Sequence, residues 1–331
     1  MTTYRQFVLA SRPEGEVKPE NFLLQTVPVP SLKDGEVLVQ NHLLSLDPYM
    51  RGRMDDARSY AAPQPIGAVM VGGTAGEVVA SRSPALQVGD KVVGMLGWAE
   101  MGVGDARSLR KVDVSQVPLS AYLGPAGMPG ITAWYGITQI IAPKEGETVA
   151  VSAAAGAVGS IAGQLAKLRG CRAVGIAGGP EKCAHVVGDL GLDACVDYKA
   201  GNVKGDLKTA APQRIDGLFE NVGGEVFDAC LARMNPFGRI ALCGQVAGYE
   251  GRPIPIHNPR PFLTMRLMMR AFIVSEHLEL WPQALRELLP LVASGKLKYK
   301  ETIAQGLPAA PAALIGLLHG QNIGKQLVKL V

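Results

Sequence analysis

The run "AVSAAAGAVGSIAGQLAKLRG", residues 150–170, gathers small side chains where a backbone could come close to an anion. In a dinucleotide-binding turn written G-x-G-x-x-G, the first glycine eases a tight turn after a strand. The second lets the main chain reach a pyrophosphate, and the third lets the next helix lie close on the sheet. Here Ala154 takes the first position while Gly156 and Gly159 keep the other two, with Ala157 and Val158 between them. Alanine costs the turn modest strain and leaves both close approaches intact. The helix that follows would aim its unpaired N–H groups and positive dipole end at the phosphates. Plain packing is the structural alternative, but strand, turn, helix and second strand within roughly 30 residues favour a coenzyme.

The second strand bears on which coenzyme. A site for NAD places Asp or Glu at its end, about 20 residues past the turn, to accept from the ribose 2′-hydroxyl. In "RAVGIAGGPEKC" the corresponding residues are Ala177, Gly178 and Gly179, and the next charged pair is Glu181 with Lys182. A missing carboxylate beside an ammonium suits a 2′-phosphate, so NADP(H) is preferred. A charge-assisted bond there contributes about 1.5–3 kcal/mol, roughly ten- to hundredfold in affinity. Pairing of Lys182 with Glu181 alone is the competing reading.

These residues need a scaffold, and the chain supplies one. Its 331 residues suggest about two domains. The first third is β-rich: "RQFVLAS", "EVLVQNHLLSL", "VGGTAGEVVAS" and "DKVVGML" are short runs bracketed by turn residues such as "KDGE" and "QVGD". After "LGPAGMPGITAWYGI" strand and helix alternate through "TVAVSA", "RAVGIAG", "ACVDY", "IDGLFENVGG", "GRIALCG" and "AFIVSE". Six such runs with crossover helices predict an α/β Rossmann fold, a doubly wound parallel sheet, over residues 123–299. The β-rich unit takes residues 1–122, and the final strand in "NIGKQLVKLV" is expected to return to it from residues 300–331.

Composition narrows the function. Hydrophobic residues at 47% and charged residues at 19% describe an ordinary globular chain. A net charge of +4 is too mild, and aromatics at 5% too sparse, for nucleic-acid binding. Cys171, Cys183, Cys195, Cys230 and Cys243 form no C-x-x-C pair, which argues for reduced thiols rather than a disulfide framework or zinc ribbon. Neither a secretory signal nor an 18-residue apolar span is visible, so a cytoplasmic protein without a membrane partner is expected.

The motifs "SLDPYMRGRM", "GMPGITAWYGI", "AAGAVGS", "GIAGGPEKC", "ENVGG" and "NIGKQLV", in that order, resemble the zinc-independent branch of the medium-chain dehydrogenase/reductase superfamily. The resemblance extends to its leukotriene/prostaglandin and curcumin reductases. It implies a GroES-like catalytic domain with an inserted Rossmann domain, a homodimer, and NADPH-dependent reduction of the carbon–carbon double bond of enones and enals. Position by position it implies a pyrophosphate turn at Gly156 to Gly159 and 2′-phosphate contacts at Lys182 and Tyr198. Asn221, the run Cys243, Gly244, Gln245, Val246, Ala247, Gly248 and Tyr249, then Phe272, Ile273, Val274 and Asn322, match the remaining coenzyme contacts. No cysteine precedes Cys171, and His42, His185, His257, His277 and His319 are scattered, so no metal site is expected.

Without a metal, hydrogen-bond donors must stabilise the oxygen that gains charge as an enolate forms, and a proton must reach the α-carbon. A phenol suits that task, since it donates while neutral. The resemblance puts Tyr249 and Tyr49 near the substrate, with Tyr249 as enolate stabiliser and Tyr49 lining the pocket. Arg51 and Arg53 would either draw an acidic substrate tail or steady the "DPYMRGRM" loop. Met265, Met268 and Met269, with Phe262 and Leu263, would form core, interface or a lid. Two other functions stay open on sequence alone: an NADPH quinone reductase, and a nonenzymatic NADPH-binding sensor.

Overall fold

Val- and Leu-rich runs become strands wherever glycine-bearing turns bracket them, and small-residue helices fill the crossovers. The computed structural model describes residues 2–331 and divides them into two units, one reaching to Gly124 and completed by Glu301–Val331, the other Pro125–Lys300.

In the first unit Thr3–Leu9 and Phe22–Pro28 form an antiparallel hairpin. A seven-stranded sheet runs in the order Glu301–Gln305, Lys325–Lys329, Glu36–Ser45, Thr74–Ser81, Lys91–Gly94, Arg110–Lys111, with Met101–Asp105 also paired to Glu36–Ser45. The ladder between Glu36–Ser45 and Thr74–Ser81 shifts register between Asn41 and Leu43, a bulge that bends the sheet. The last strand does return: Leu327 pairs with Ser45, Val328 with Leu44 and Lys329 with Leu43. Trp98 and Phe22 stack at 5.1 Å in a buried cluster with Phe7, Met50, Met54 and Met70.

The second unit is a six-stranded sheet, parallel throughout. Its order is Ala194–Asp197, Arg172–Ala177, Thr148–Ser152, Ile215–Glu220, Met234–Leu242, Met268–Ala271. Thr148–Ser152 is buried along its whole length, as continuous apolar runs require when helices cover both faces. The strand order reverses beside this strand, which opens a crevice at its carboxyl end.

The sixth strand corrects the sequence reading. It occupies Met268–Ala271 rather than "AFIVSE", and all four residues are exposed. Its ladder ends at Ala271 because the partner strand ends at Leu242. Phe272 and Val274 are buried past that point, where the chain enters a 3-10 turn at Val274–Glu276. Leu263 is 80% exposed and Met268 49%, so neither belongs to the core of this chain.

Candidate coenzyme and active site

The turn after the first strand of the parallel sheet closes tightly. Gly156 N–H donates to Ala153 O at 2.9 Å, and the helix Gly159–Leu168 begins three residues later. The left-handed conformation falls on Ala153, with φ 50°, and not on Ala154, where the glycine pattern placed the difficult corner. Ala154 is instead fully buried. A Cβ on Gly159 would lie 2.3 Å from the Ala153 carbonyl oxygen, so only glycine lets this helix sit so close to the strand end. Among the described residues the N–H groups of Ala157 and Val158 meet no acceptor, which leaves two donors at a helix start for an anion.

At the end of the second strand the geometry explains two residues at once. The Tyr198 ring lies against Gly178, where a Cβ would fall 2.9 Å from the phenol oxygen. Lys182 stands on the short helix Pro180–Ala184, half-buried. Burial pushes its ammonium below the ordinary lysine range, the charge of Lys199 pushes it further, and Glu181 partly opposes both. A cationic corner whose own strand ends in Ala177, with the neighbouring Asp197 Oδ1 held by the Gly179 N–H, fits a phosphate better than a ribose hydroxyl.

The crevice between the first and fourth strands is bridged by Asn221. Its backbone N–H donates to Ser152 Oγ at 2.8 Å and its side-chain nitrogen donates to Ser152 O at 2.7 Å. Asn221 therefore ties the ends of these two strands together through its backbone and side-chain nitrogens. Beyond the fifth strand, Cys243 and Gly244 donate backbone N–H groups to Glu220 O, and a 3-10 turn at Val246–Gly248 leads into Tyr249. Gln245 and Ala247 are exposed, whereas Cys243, Gly244, Val246, Gly248 and Tyr249 are half-buried. The Tyr249 hydroxyl lies over Gly244, 3.6 Å from where a Cβ would sit.

Sequence reading passed over Glu220, which is fully buried. Its Oε1 accepts the N–H groups of Val222 and Gly223, each at 2.6 Å, while Oε2 meets no hydrogen-bond partner among the described residues. Burial raises its carboxyl above the ordinary range despite those two donors, and burial together with Glu220 pushes the Cys243 thiol up to about 12. Because the folded chain holds this carboxyl proton more tightly than the unfolded chain, its contribution is complete below the unfolded pKa. It is lost as pH rises through the folded one. Glu220→Gln is thus expected to flatten the fall in thermal midpoint as pH rises above the ordinary carboxyl range. Parallel melting curves for the two proteins across that rise would exclude this role.

The segment Phe272–Val274 is fixed at both ends. Phe272 stacks on Tyr135 at 5.0 Å and meets Phe219 edge-on at 6.3 Å, while Val274 O accepts from Trp281 Nε1 at 3.2 Å. Ile273 between them is half-buried. The second unit thus brings its candidates to one edge of its sheet. Tyr49 and Asn322 belong to the first unit. Tyr49 opens the helix Tyr49–Arg53, and burial, then Asp47 and Tyr60, raise its phenol far above the ordinary value, so it remains a donor. Asn322 is buried and donates to Gly324 O at 2.7 Å. Arg51 is buried and binds Asp55 at 2.6 Å and Gly15 O at 2.8 Å, contacts that steady the loop.

Comparison with known proteins agrees with both units. Residues 5–112 match a family described as the N-terminal domain of oxidoreductase, and residues 157–294 match one described as zinc-binding dehydrogenase. The NADPH-dependent curcumin reductase of Escherichia coli (strain K12) is 45% identical over 334 residues, covering 98% of this chain and 96% of that protein. The chain belongs to the medium-chain dehydrogenase/reductase superfamily. Among its members, prostaglandin reductase 1 of Rattus norvegicus is 40% identical over 336 residues, covering 99% of this chain and all of that one. The crystal structure of CurA from Vibrio vulnificus in complex with NADPH aligns with a TM-score of 0.94 at 43% identity, covering 99% of each chain. The superfamily architecture of a GroES-like unit plus a Rossmann unit is the one seen here. The zinc in the matched family's description has no thiolate counterpart in the first unit, which contains no cysteine. No helix among the described residues is long and apolar enough to cross a membrane.

Proposed function

We propose that this protein is an NADPH-dependent reductase of the carbon–carbon double bond of α,β-unsaturated ketones and aldehydes, working without zinc. The observation that carries it is end-to-end likeness at 45% identity to an NADPH-dependent curcumin reductase, in a chain whose own coenzyme turn and cationic corner fit that nucleotide. Gly156 to Gly159 would hold the pyrophosphate, and Lys182 with Tyr198 the 2′-phosphate. Cys243 to Tyr249, Phe272 to Val274 and Asn322 are assigned to the rest, with Asn221 shaping the crevice.

When bound, NADPH supplies a hydride to the β-carbon of the substrate. The electron pair of the double bond then shifts towards the carbonyl, whose oxygen gains negative charge. The Tyr249 hydroxyl donates to that oxygen, stabilising charge that is absent from the ground state. A solvent proton completes the product at the α-carbon. Tyr49 is assigned to the substrate as a second phenol, since its raised pKa keeps the proton in place.

We further assign a homodimer formed through the Met268–Ala271 edge, supported by an exposed strand flanked by the exposed Leu263, and a cytoplasmic location. The functional test is NADPH consumption over linear enones, enals, curcuminoids and benzoquinone, with product mass read alongside. Gain of two hydrogens at the double bond is the expected product. Turnover of the quinone with no reduction of any enone or enal would sink the reading.

A further inference from the structure

The cationic corner holds a second lysine, Lys199, whose turn is tied to the one that carries Lys182. One carboxylate oxygen, Asp197 Oδ1, accepts the Gly179 N–H at 2.7 Å and the Lys199 N–H at 2.9 Å. Gly179 caps the helix Pro180–Ala184 that carries Lys182, and Lys199 lies in the 3-10 turn Tyr198–Ala200. A single oxygen thus ties two lysine-bearing turns together across neighbouring strand ends, and the Tyr198 ring fills the space above Gly178.

We propose that Lys199 is a second specificity-determining cation for the 2′-phosphate of NADPH, with Asp197 as the positioning residue that sets it beside Lys182. The proposal rests on the NADPH reading above. Two ammoniums close enough for one to depress the other repel, and no salt bridge to Lys199 forms among the described residues. A phosphate near −2 charge placed between them replaces that repulsion with two attractions. The unphosphorylated coenzyme offers a neutral hydroxyl at the same place and relieves nothing. Asp197, which a glance at the strand end would cast as a ribose acceptor, has Oδ1 committed to backbone donors.

The test is equilibrium binding of NADPH and of NADH to the whole protein without substrate, followed by coenzyme fluorescence at several salt concentrations. Lys199→Ala should weaken NADPH about three- to tenfold, leave NADH within about twofold, and lower the salt dependence of NADPH binding. Lys199→Arg should restore most of the loss. Asp197→Ala should weaken NADPH in the same direction, and adding Lys199→Ala to it should cost less than about twofold more. Should Lys182→Ala lose the preference for NADPH while Lys199→Ala keeps it, Lys199 has no part in recognition. Equal affinity of the unaltered protein for both coenzymes would overturn the NADPH reading together with this one.

Discussion

Replacing Tyr249 by phenylalanine is expected to lower enone turnover by roughly tenfold or more while the affinity for NADPH stays near that of the unaltered protein. The ring is half-buried beside Gly244, and phenylalanine preserves that packing. What the substitution removes is one hydroxyl, so a fall in kcat with NADPH affinity unchanged reports on that group. Loss of a single preorganised donor to a developing oxyanion typically costs about 2.7–4 kcal/mol of barrier. Because the bond strengthens only as charge builds, kcat and kcat/KM should drop together. Tyr249→Phe with full turnover on a good enone substrate would mean the ring only packs, and Tyr49→Phe would then become the variant to assay.

How far the sequence alone reached can be followed residue by residue. The continuous apolar runs foretold the parallel sheet, since a strand buried on both faces must be apolar throughout, as Thr148–Ser152 nearly is. The spacing of Gly156 and Gly159 marked the turn because each glycine answers a specific steric demand. Register was harder to see. "AFIVSE" has the composition of a strand, yet the ladder stops at Ala271 because the neighbouring strand ends at Leu242 and its next N–H groups turn to Glu220 O, which is a property of pairing and not of local preference. The left-handed corner at Ala153 was hidden for a similar reason, as nothing in an alanine announces φ 50°. Glu220 and the Asp197 clamp escaped notice because their roles arise from residues converging in space. The two N–H groups on Glu220 Oε1 carry no signature in the string "ENVGG".

Lys325→Met should be the most destabilising of the substitutions considered, by about 3–5 kcal/mol. Lys325 is 3% exposed, and its ammonium donates to Asp47 Oδ1 at 2.8 Å and to Leu46 O at 2.5 Å. Ser45 Oγ donates to the other oxygen of Asp47. Removing the lysine strands a carboxylate in the interior, where desolvation is no longer offset by its counter-charge. Urea unfolding of the variant measures the loss. Pairing Lys325→Met with Asp47→Leu should recover most of it, because an apolar pair of similar volume carries no such penalty. A single variant that unfolds within about 0.5 kcal/mol of the parent would show that water already reaches the pair.

The pairing of Leu327 with Ser45 and of Val328 with Leu44 sets a condition on how this polypeptide matures. During synthesis the ribosome delivers residues 43–45 long before their partner near residue 327 exists, so that end of the strand must wait with an open edge. The intervening Pro125–Lys300 segment carries its own sheet and can consolidate first, during translation. An unfinished nascent chain therefore exposes the short edge Leu43–Ser45 for most of its elongation. Holding it against premature aggregation is a task for the cell's folding helpers rather than for the finished structure.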